Sequence, residues 1–349
     1  MANGVTFLVR TFCATYNHES YITDAIQGFV MQETSFPVVY TIVDDASTDK
    51  TAEVLRRFVN EHFDVDSNSG GYDKDTDYGH VTFAQHKTNK NCYFAVIYLK
   101  ENHYSQKKSK APYLTEWMDT KYVAMCEGDE YWTYPLKLQK QVDFLEKHLD
   151  YSMCTHAALW ESDGELYNRG CQHEEECALS TDEVIKCGGL YLATASLVYR
   201  KELVNDSPEW RELSDVGDFP LQILGTLRGG LWFLPAPMCV YRFMHAGSWT
   251  VMISDRFIEH AFTEIKWLRL LDKDTDKKYH KAIQTHLFSK FIRFLFRENK
   301  ISTSQYVITY LEAEKQISVY HFLKDILRHF LISIKIGFNK AVKKNQQSE

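Results

Sequence analysis

The sequence holds no Cys-x-x-Cys pair, no glycine-rich loop behind its first strand, no apolar run long enough to span a bilayer and no surplus of basic charge. Each absence closes a class. A net charge of -7 gives no general case for nucleic-acid binding. The eight cysteines, scattered from Cys13 to Cys239 in a long chain, read as free thiols of a reducing cytosol and not as a disulfide frame. Cys171, His173, Cys177 and Cys187 lie near one another, but their spacing fits no standard zinc pattern. A transmembrane helix needs about 20 apolar residues, and none is expected here. Met1-Ala2-Asn3-Gly4 leads straight into strand-like residues, so no signal peptide is expected and the protein reads as cytoplasmic.

What is present is a chain of 349 residues, 44% hydrophobic, with 21 Tyr, 21 Phe and 7 Trp, enough for one large core or two smaller ones. Val5 to Cys13 suits a first strand, and Tyr21, Ile22, Ala25, Ile26 and Phe29 recur at helical spacing after it. Val38 to Val43 is a second strand. It ends in Asp44-Asp45-Ala46-Ser47-Thr48-Asp49, whose caps lead into a helix over Ala52 to Phe58. This βαβα alternation predicts a parallel sheet with helices on both faces.

The stretch Lys121 to Leu138 organises the rest. Tyr122 to Cys126 is a short apolar run suited to a buried parallel strand. It stops at Glu127-Gly128-Asp129-Glu130, where ligands of open α/β sheets bind. Clustered carboxylates raise one another's pKa unless a cation neutralises them, and a hard divalent ion shared with phosphate oxygens does that. A solvated acidic turn is the plainer alternative. Pro135 to Leu149 continues as an amphipathic helix. Before this stretch, Phe63 to Lys90 is polar and reads as a surface insertion. Within it Asp64, Asp66 and Asn68 begin like a calcium loop that lacks the required glycine and final glutamate. Cys92 to Leu99 is a third strand.

After residue 252 strand signals stop. Helices are expected over Phe257 to Leu271, Tyr279 to Phe296, Ser302 to Glu314 and Ser318 to Val342. The last carries Phe322, Ile326, Leu327, Phe330, Leu331, Ile334 and Phe338 with lysines and Arg328 around them. Two accounts stay open for it: lying on an anionic membrane surface as a peripheral contact, or packing on the preceding domain.

Several stretches in order resemble the inverting, family-2-type nucleotide-sugar glycosyltransferases of bacteria. They are Cys13-Ala14-Thr15-Tyr16-Asn17, Val43 to Thr51, Glu101-Asn102 through Ser105, Glu127 to Trp132, Thr194 to Arg200, Gly217 to Leu221, and Tyr241 to His245 with Gly247-Ser248-Trp249. They cover about Val5 to Thr250. Glu127 stands where the family's metal motif has its first Asp, Glu130 where Asp is frequent, and Lys107-Lys108 where Gly or Arg is usual. The resemblance implies the GT-A fold, α/β with a mostly parallel, Rossmann-like central sheet. Residues 1–252 would form the catalytic domain, with a donor half to about 132 and an acceptor half from 133, and residues 253–349 a helical region.

The resemblance also implies roles. A nucleoside-diphosphate sugar, with a UDP-sugar favoured, would lie against Ala14, Thr15, Tyr16, Asp44, Asp45, Lys107 and Glu127. Mn²⁺ or Mg²⁺ would be held by Asp129 and His245. Glu130, Trp132, Thr194, Ser196 and Trp249 would face the sugar or acceptor. Asp218 would be the base that takes the proton of the attacking hydroxyl, and it is preferred to Asp215 because Gly-Asp-Phe-Pro-Leu matches the family. A glycan or lipid-linked acceptor in surface polysaccharide synthesis is the expected setting. Two rivals remain: a sugar-1-phosphate nucleotidyltransferase, whose glycine-rich basic loop Ala14 to Asn17 lacks, and a non-catalytic carbohydrate-binding relative, against which the retention of Asp45, Asp129 and Asp218 argues.

Overall fold

The computed structural model describes residues 4–66, 70–245, 247–248, 250–252 and 256–297. By packing, the chain divides into a unit Met1–Ala282 and a unit Ile283–Glu349. The helices expected over Ser302 to Glu314 and Ser318 to Val342 lie outside the described residues.

The first unit is built on one 11-stranded sheet. Strands β1 (Val9–Thr15), β2 (Val38–Asp44) and β6 (Cys92–Leu99) run parallel, with Val9 opposite Val38 and Val38 opposite Cys92. On the other side of β1 lies the organising strand, β7 (Tyr122–Met125), also parallel, with Val9 opposite Tyr122. All seven residues of β2 are buried, which is why that strand reads as an unbroken apolar run. β7 continues through antiparallel β13 (Val198–Arg200) to β9 (Met153–His156) and β14 (Leu231–Leu234).

Helices α1 (Ile22–Val30), α2 (Thr51–His62) and α3 (Lys137–Lys147) place Ile22, Ile26, Phe29, Leu55, Val59, Leu138, Val142 and Leu145 in a single core cluster. In this half the three α-helices share one face of the sheet. Right-handed crossovers that step from β1 to β2 to β6 in one direction put successive helices on one side. The opposite face is covered by a 3₁₀ helix, Ala111–Trp117, whose Leu114 and Trp117 pack with Phe7, Val39, Val81 and Phe83.

The supposed surface insertion is corrected. Within it β5 (Gly79–His86) pairs antiparallel with β6, from Gly79 opposite Leu99 to Gln85 opposite Tyr93, and buries Val81, Phe83 and Ala84. Its apolar residues alternate with His80, Thr82 and Gln85, so its mean polarity hides a strand. The hairpin strand β4 (Tyr72–Asp75) and the short β3 (Phe63–Asp64) pair with β5.

A second, four-stranded sheet was not foreseen. It orders β11 (Glu165–Arg169), β10 (Ala158–Ser162), β15 (Cys239–Arg242) and β8 (Tyr131–Trp132). Because β8 directly follows the acidic turn, this sheet fastens the end of the chain's β15 beside that turn. All eight cysteines are free.

Candidate active site

The carboxyl ends of β1, β2 and β7 meet at one edge, and main-chain bonds tie the loops that leave them. Gly128 N–H donates to Ala14 O at 2.9 Å, and Asp45 N–H donates to Thr15 O at 2.9 Å. Asn17 Oδ1 accepts from Thr48 N–H at 2.8 Å, while Asp44 accepts from the Ser47 main chain and hydroxyl, closing the turn after β2. Burial raises the Asp44 carboxyl, and the Ser47 bonds work against that rise.

Asp129 is the centre of the site. Its Oδ2 lies 2.9 Å from His245 Nε2 and 3.9 Å from His18 Nε2. Burial alone would raise its carboxyl, but the hydrogen bond from His245 and the charges of His18 and His245 reverse this, and Asp129 stays below its ordinary value. Its carbonyl accepts from Arg242 Nη1 at 3.0 Å. Arg242 also pairs with Asp24 of α1 and with Glu161 at 3.2 Å, and lies over the rings of Tyr21 and Tyr131. One guanidinium thus pins α1, β10 and the acidic turn, three residues ahead of His245. His18 turns its other nitrogen to Thr15 Oγ1 at 3.2 Å.

Glu127 is exposed to solvent yet crowded by the protein around its carboxyl. That crowding, then the charges of Asp129 and Asp218, push its carboxyl up, and Lys110 acts against them. Glu130 lies behind the turn, 3% exposed, with Oε1 lacking a hydrogen-bond partner. Burial, then Asp129 and Glu127, raises it well above the usual range.

Asp45 is buried and its carboxylate is committed to the protein. His103 N–H donates to Oδ1 at 2.7 Å, Tyr104 N–H to Oδ2 at 3.0 Å, and Lys110 Nζ sits 3.0 Å from Oδ2. Asn102 Nδ2 completes the clasp on the Asp45 carbonyl at 3.0 Å. Asp45 therefore fastens the 101–110 loop, with two donors on Oδ2 and one on Oδ1. Tyr16, after β1, and Tyr104, within the clasp loop, are exposed at 43% and 54%. Lys107 is exposed, with a positive φ of 55°, while Lys110 is the cation directed at Asp45 and Glu127.

Asp218 opens α6 (Asp218–Leu227), accepting from Phe219 N–H at 2.8 Å and from Thr194 Oγ1 at 3.2 Å. Burial raises it, and its charge reaches Glu127, so Asp218 and the acidic turn share one electrostatic field.

Two sugar-facing expectations are corrected. Trp132 is 1% exposed; its indole N–H donates to Ala195 O at 2.9 Å, and Lys137 Nζ lies 4.2 Å above its ring. It is a core residue with no face for a sugar. Ser196 is fully buried between Thr155 Oγ1 at 2.7 Å and Ala193 O at 2.6 Å. The buried Glu130 points the same way, inward. Trp249 lies outside the described residues. Sequence reasoning missed His18, Lys110 and Arg242. Only His18 and Arg242 carried a signal, each falling inside or beside a stretch that carries the resemblance.

The donors fit a divalent ion that is completed by a ligand. One carboxylate and two imidazoles gather at Asp129, yet among the described residues no three His, Cys, Asp or Glu form a closed set. Mg²⁺ and Mn²⁺ sites of this open kind borrow phosphate oxygens from the substrate. The cysteine-rich stretch offers no such set either: His173 is paired with Glu183 at 2.6 Å.

No protein-family model matches the chain. Uncharacterized proteins of Mycobacterium bovis and Mycobacterium tuberculosis are 29% identical over 249 residues, 69% of this chain. The chain spans 60% of the length of these relatives. Among solved structures it resembles residues 1-349 of TarS from S. aureus in complex with UDP, with a TM-score of 0.55 and 16% identity over 87% of this chain and 78% of that one. The UDP-GlcNAc complex of the same protein matches at 0.54 and 15%, over 85% and 77%. The fold is GT-A.

Proposed function

We propose that the protein is a glycosyltransferase that moves a sugar from a nucleoside diphosphate, UDP by preference, to an acceptor hydroxyl with inversion. The observation that carries this reading is the Asp129 knot. A carboxylate held by His245 and His18 sits at the strand ends of a GT-A sheet, in a turn whose Glu127 and Glu130 feel the charge of Asp218. Asp129 and His245 would hold Mn²⁺ or Mg²⁺ against the donor's phosphates. The ion supplies charge neutralisation for the departing diphosphate. Tyr16 and Tyr104 offer rings to the base, and Lys110 offers positive charge near the phosphates.

On the acceptor side Asp218 takes the proton of the incoming hydroxyl. That oxygen bonds to the anomeric carbon as the bond from this carbon to the diphosphate oxygen breaks on the opposite face, so the configuration inverts. Thr194 orients the carboxylate for this step. The setting we propose is bacterial surface-polysaccharide synthesis on a glycan or lipid-linked acceptor, at the inner face of the cell membrane, with the basic segment after Ser318 as peripheral contact. Among the described residues no helix is long and apolar enough to cross a membrane.

The test is a thermal-shift screen of UDP-, GDP- and TDP-sugars with and without Mn²⁺, followed by detection of released nucleoside diphosphate. A Mn²⁺-dependent rise with a UDP-sugar is expected. Indifference to every nucleotide sugar refutes the reading. Sedimentation with anionic vesicles, for the full chain and for a chain ending at Lys315, tests the membrane contact: the full chain alone should sediment, and only at low salt.

A further inference from the structure

Helix α7 (Phe257–Asp274) was expected to belong to a region apart from the chemistry. Its buried face is made by His260, Glu264, Trp267 and Leu271, one stripe at helical spacing. That stripe docks on the segment that carries Asp218. The Trp267 ring meets Phe219, the residue after Asp218, at 5.4 Å between centroids, and Trp210 at 6.4 Å. Two turns before Trp267, His260 meets the start of the same segment. Its Nδ1 is 2.9 Å from Asp215 Oδ2 and its Nε2 is 3.3 Å from Glu264 Oε2.

Carboxylates only accept hydrogen bonds, so an imidazole bracketed by two of them donates from both nitrogens, as imidazolium does. His260 and Glu264 are 7% and 3% exposed, and a buried carboxylate such as Glu264 is tolerated because it is paired. The charged groups around His260 are Asp215 from the loop before α6, Asp218 from α6 and Glu264 from its own helix. Arg256 at the start of α7 is drawn to Glu259 and, more weakly, to Asp215.

We propose that His260 is a positioning residue for the acceptor-side base. Locked between Asp215 and Glu264, its imidazolium anchors the 215–219 turn and keeps Asp218 ionised beside the acceptor. This inference rests on the reading of Asp218 as the base. It also gives Asp215 a role, as the tether of the turn. Burial raises Asp218, and the positive charge of His260 is one of the influences that lower it, after the bonds from Phe219 and Thr194.

The experiment compares wild type with His260→Gln, which keeps hydrogen-bonding capacity and removes the charge. Two readouts are taken: the ¹³C NMR titration of the Asp218 carboxyl, assigned with Asp218→Asn, and the pH profile of UDP release from UDP-GlcNAc with Mn²⁺. The Asp218 midpoint should move upward in His260→Gln. The acid limb of kcat should follow it, giving a loss of turnover below the limb and recovery above it, with UDP affinity unchanged. An unmoved midpoint, or a loss equal at every pH, overturns the proposal. Should His260→Gln fail to fold, the same readouts are taken on His260→Asn, which also removes the charge, and a static midpoint there is equally decisive. The base assignment fails separately, if Asp218→Asn turns over donor like wild type.

Discussion

Gly128 sits between the two acids of the turn, and replacing it by alanine tests whether the turn's packing against β1 sets the chemistry. A Cβ at this position would lie 2.6 Å from Thr15 Oγ1, 2.7 Å from Thr15 Cβ and 2.9 Å from His18 Nδ1. Ordinary contact begins near 3.4 Å, so Thr15 and His18 must retreat by roughly half an ångström or more. Thr15 is buried on a central strand and cannot retreat freely. The displacement therefore passes to the 127–129 turn and to His18 beside Asp129. Overpacking of this kind costs about 1–3 kcal/mol. At roughly 2–4 °C per kcal/mol for a domain of this size, Tm should fall by a few degrees up to about 10 °C. A shift of about 1 Å at reacting groups costs on the order of a hundredfold in rate, so turnover should drop about ten- to a hundredfold, far more than the stability loss explains at 25 °C. The assay is UDP release with saturating donor and Mn²⁺, with Tm measured on the same preparation. A Gly128→Ala protein with wild-type turnover and Tm refutes the reasoning, because it would mean that the turn has slack where the distances show none.

Other outcomes follow from single groups. Asp129→Asn should abolish transfer while the fold survives, and excess EDTA should silence the wild type; near-normal transfer in either case counts against the metal assignment. Asp218→Asn should bind UDP normally and lose roughly a hundredfold or more in turnover, the scale of a lost general base; collapse of UDP affinity would move Asp218 to the donor side. Lys137 is wholly buried, bonded to Gln141 at 2.9 Å, and burial lowers its pKa from 10.5 to about 8. Between those values the unfolded chain holds a proton that the folded one lacks, so this lysine contributes stability that grows with pH from about 8 to 10.5, against the opposite pull of the buried thiols. The stability of wild type relative to Lys137→Met, from denaturant midpoints, should therefore rise across that window, and a constant difference counts against the lowered pKa.

The elements legible in the sequence were those with a strong period or an unbroken apolar run: β1, α1, β2, α2, β6, β7 and α3. β5 was hidden because His80, Thr82 and Gln85 dilute its alternation, although its partner strand buries it. The second sheet was hidden because β8 is two residues long and its partners are distant in sequence. At the site, Asp129, His245 and Asp218 could be named because they fall inside ordered motifs. What could not be read was direction. Trp132 and Ser196 sit in the same motifs but turn into the core, and pleat and burial decide that, not composition. Lys107 and Lys110 are chemically alike, and only the turn between them selects Lys110 for Asp45. Asp45 itself looked like a ligand group because its loop partners, His103 and Tyr104, are 58 and 59 residues away.

The pairing of Asp129 with His245 has a consequence for the chain's life on the ribosome. The two residues are 116 positions apart, and β15, which delivers His245, is the last strand among the described residues. Strands β1, β2, β6 and β7 can assemble well before then, but the acidic turn they present lacks the His245 imidazole and the Arg242 pin. A nascent chain can therefore carry most of its sheet with Asp129 unfastened, and the turn is secured in one step as residues 239–245 emerge and close the second sheet. Stalled chains of increasing length should stay inactive up to that point, and reach full activity only once His260 and Trp267 have followed to hold the 215–219 turn.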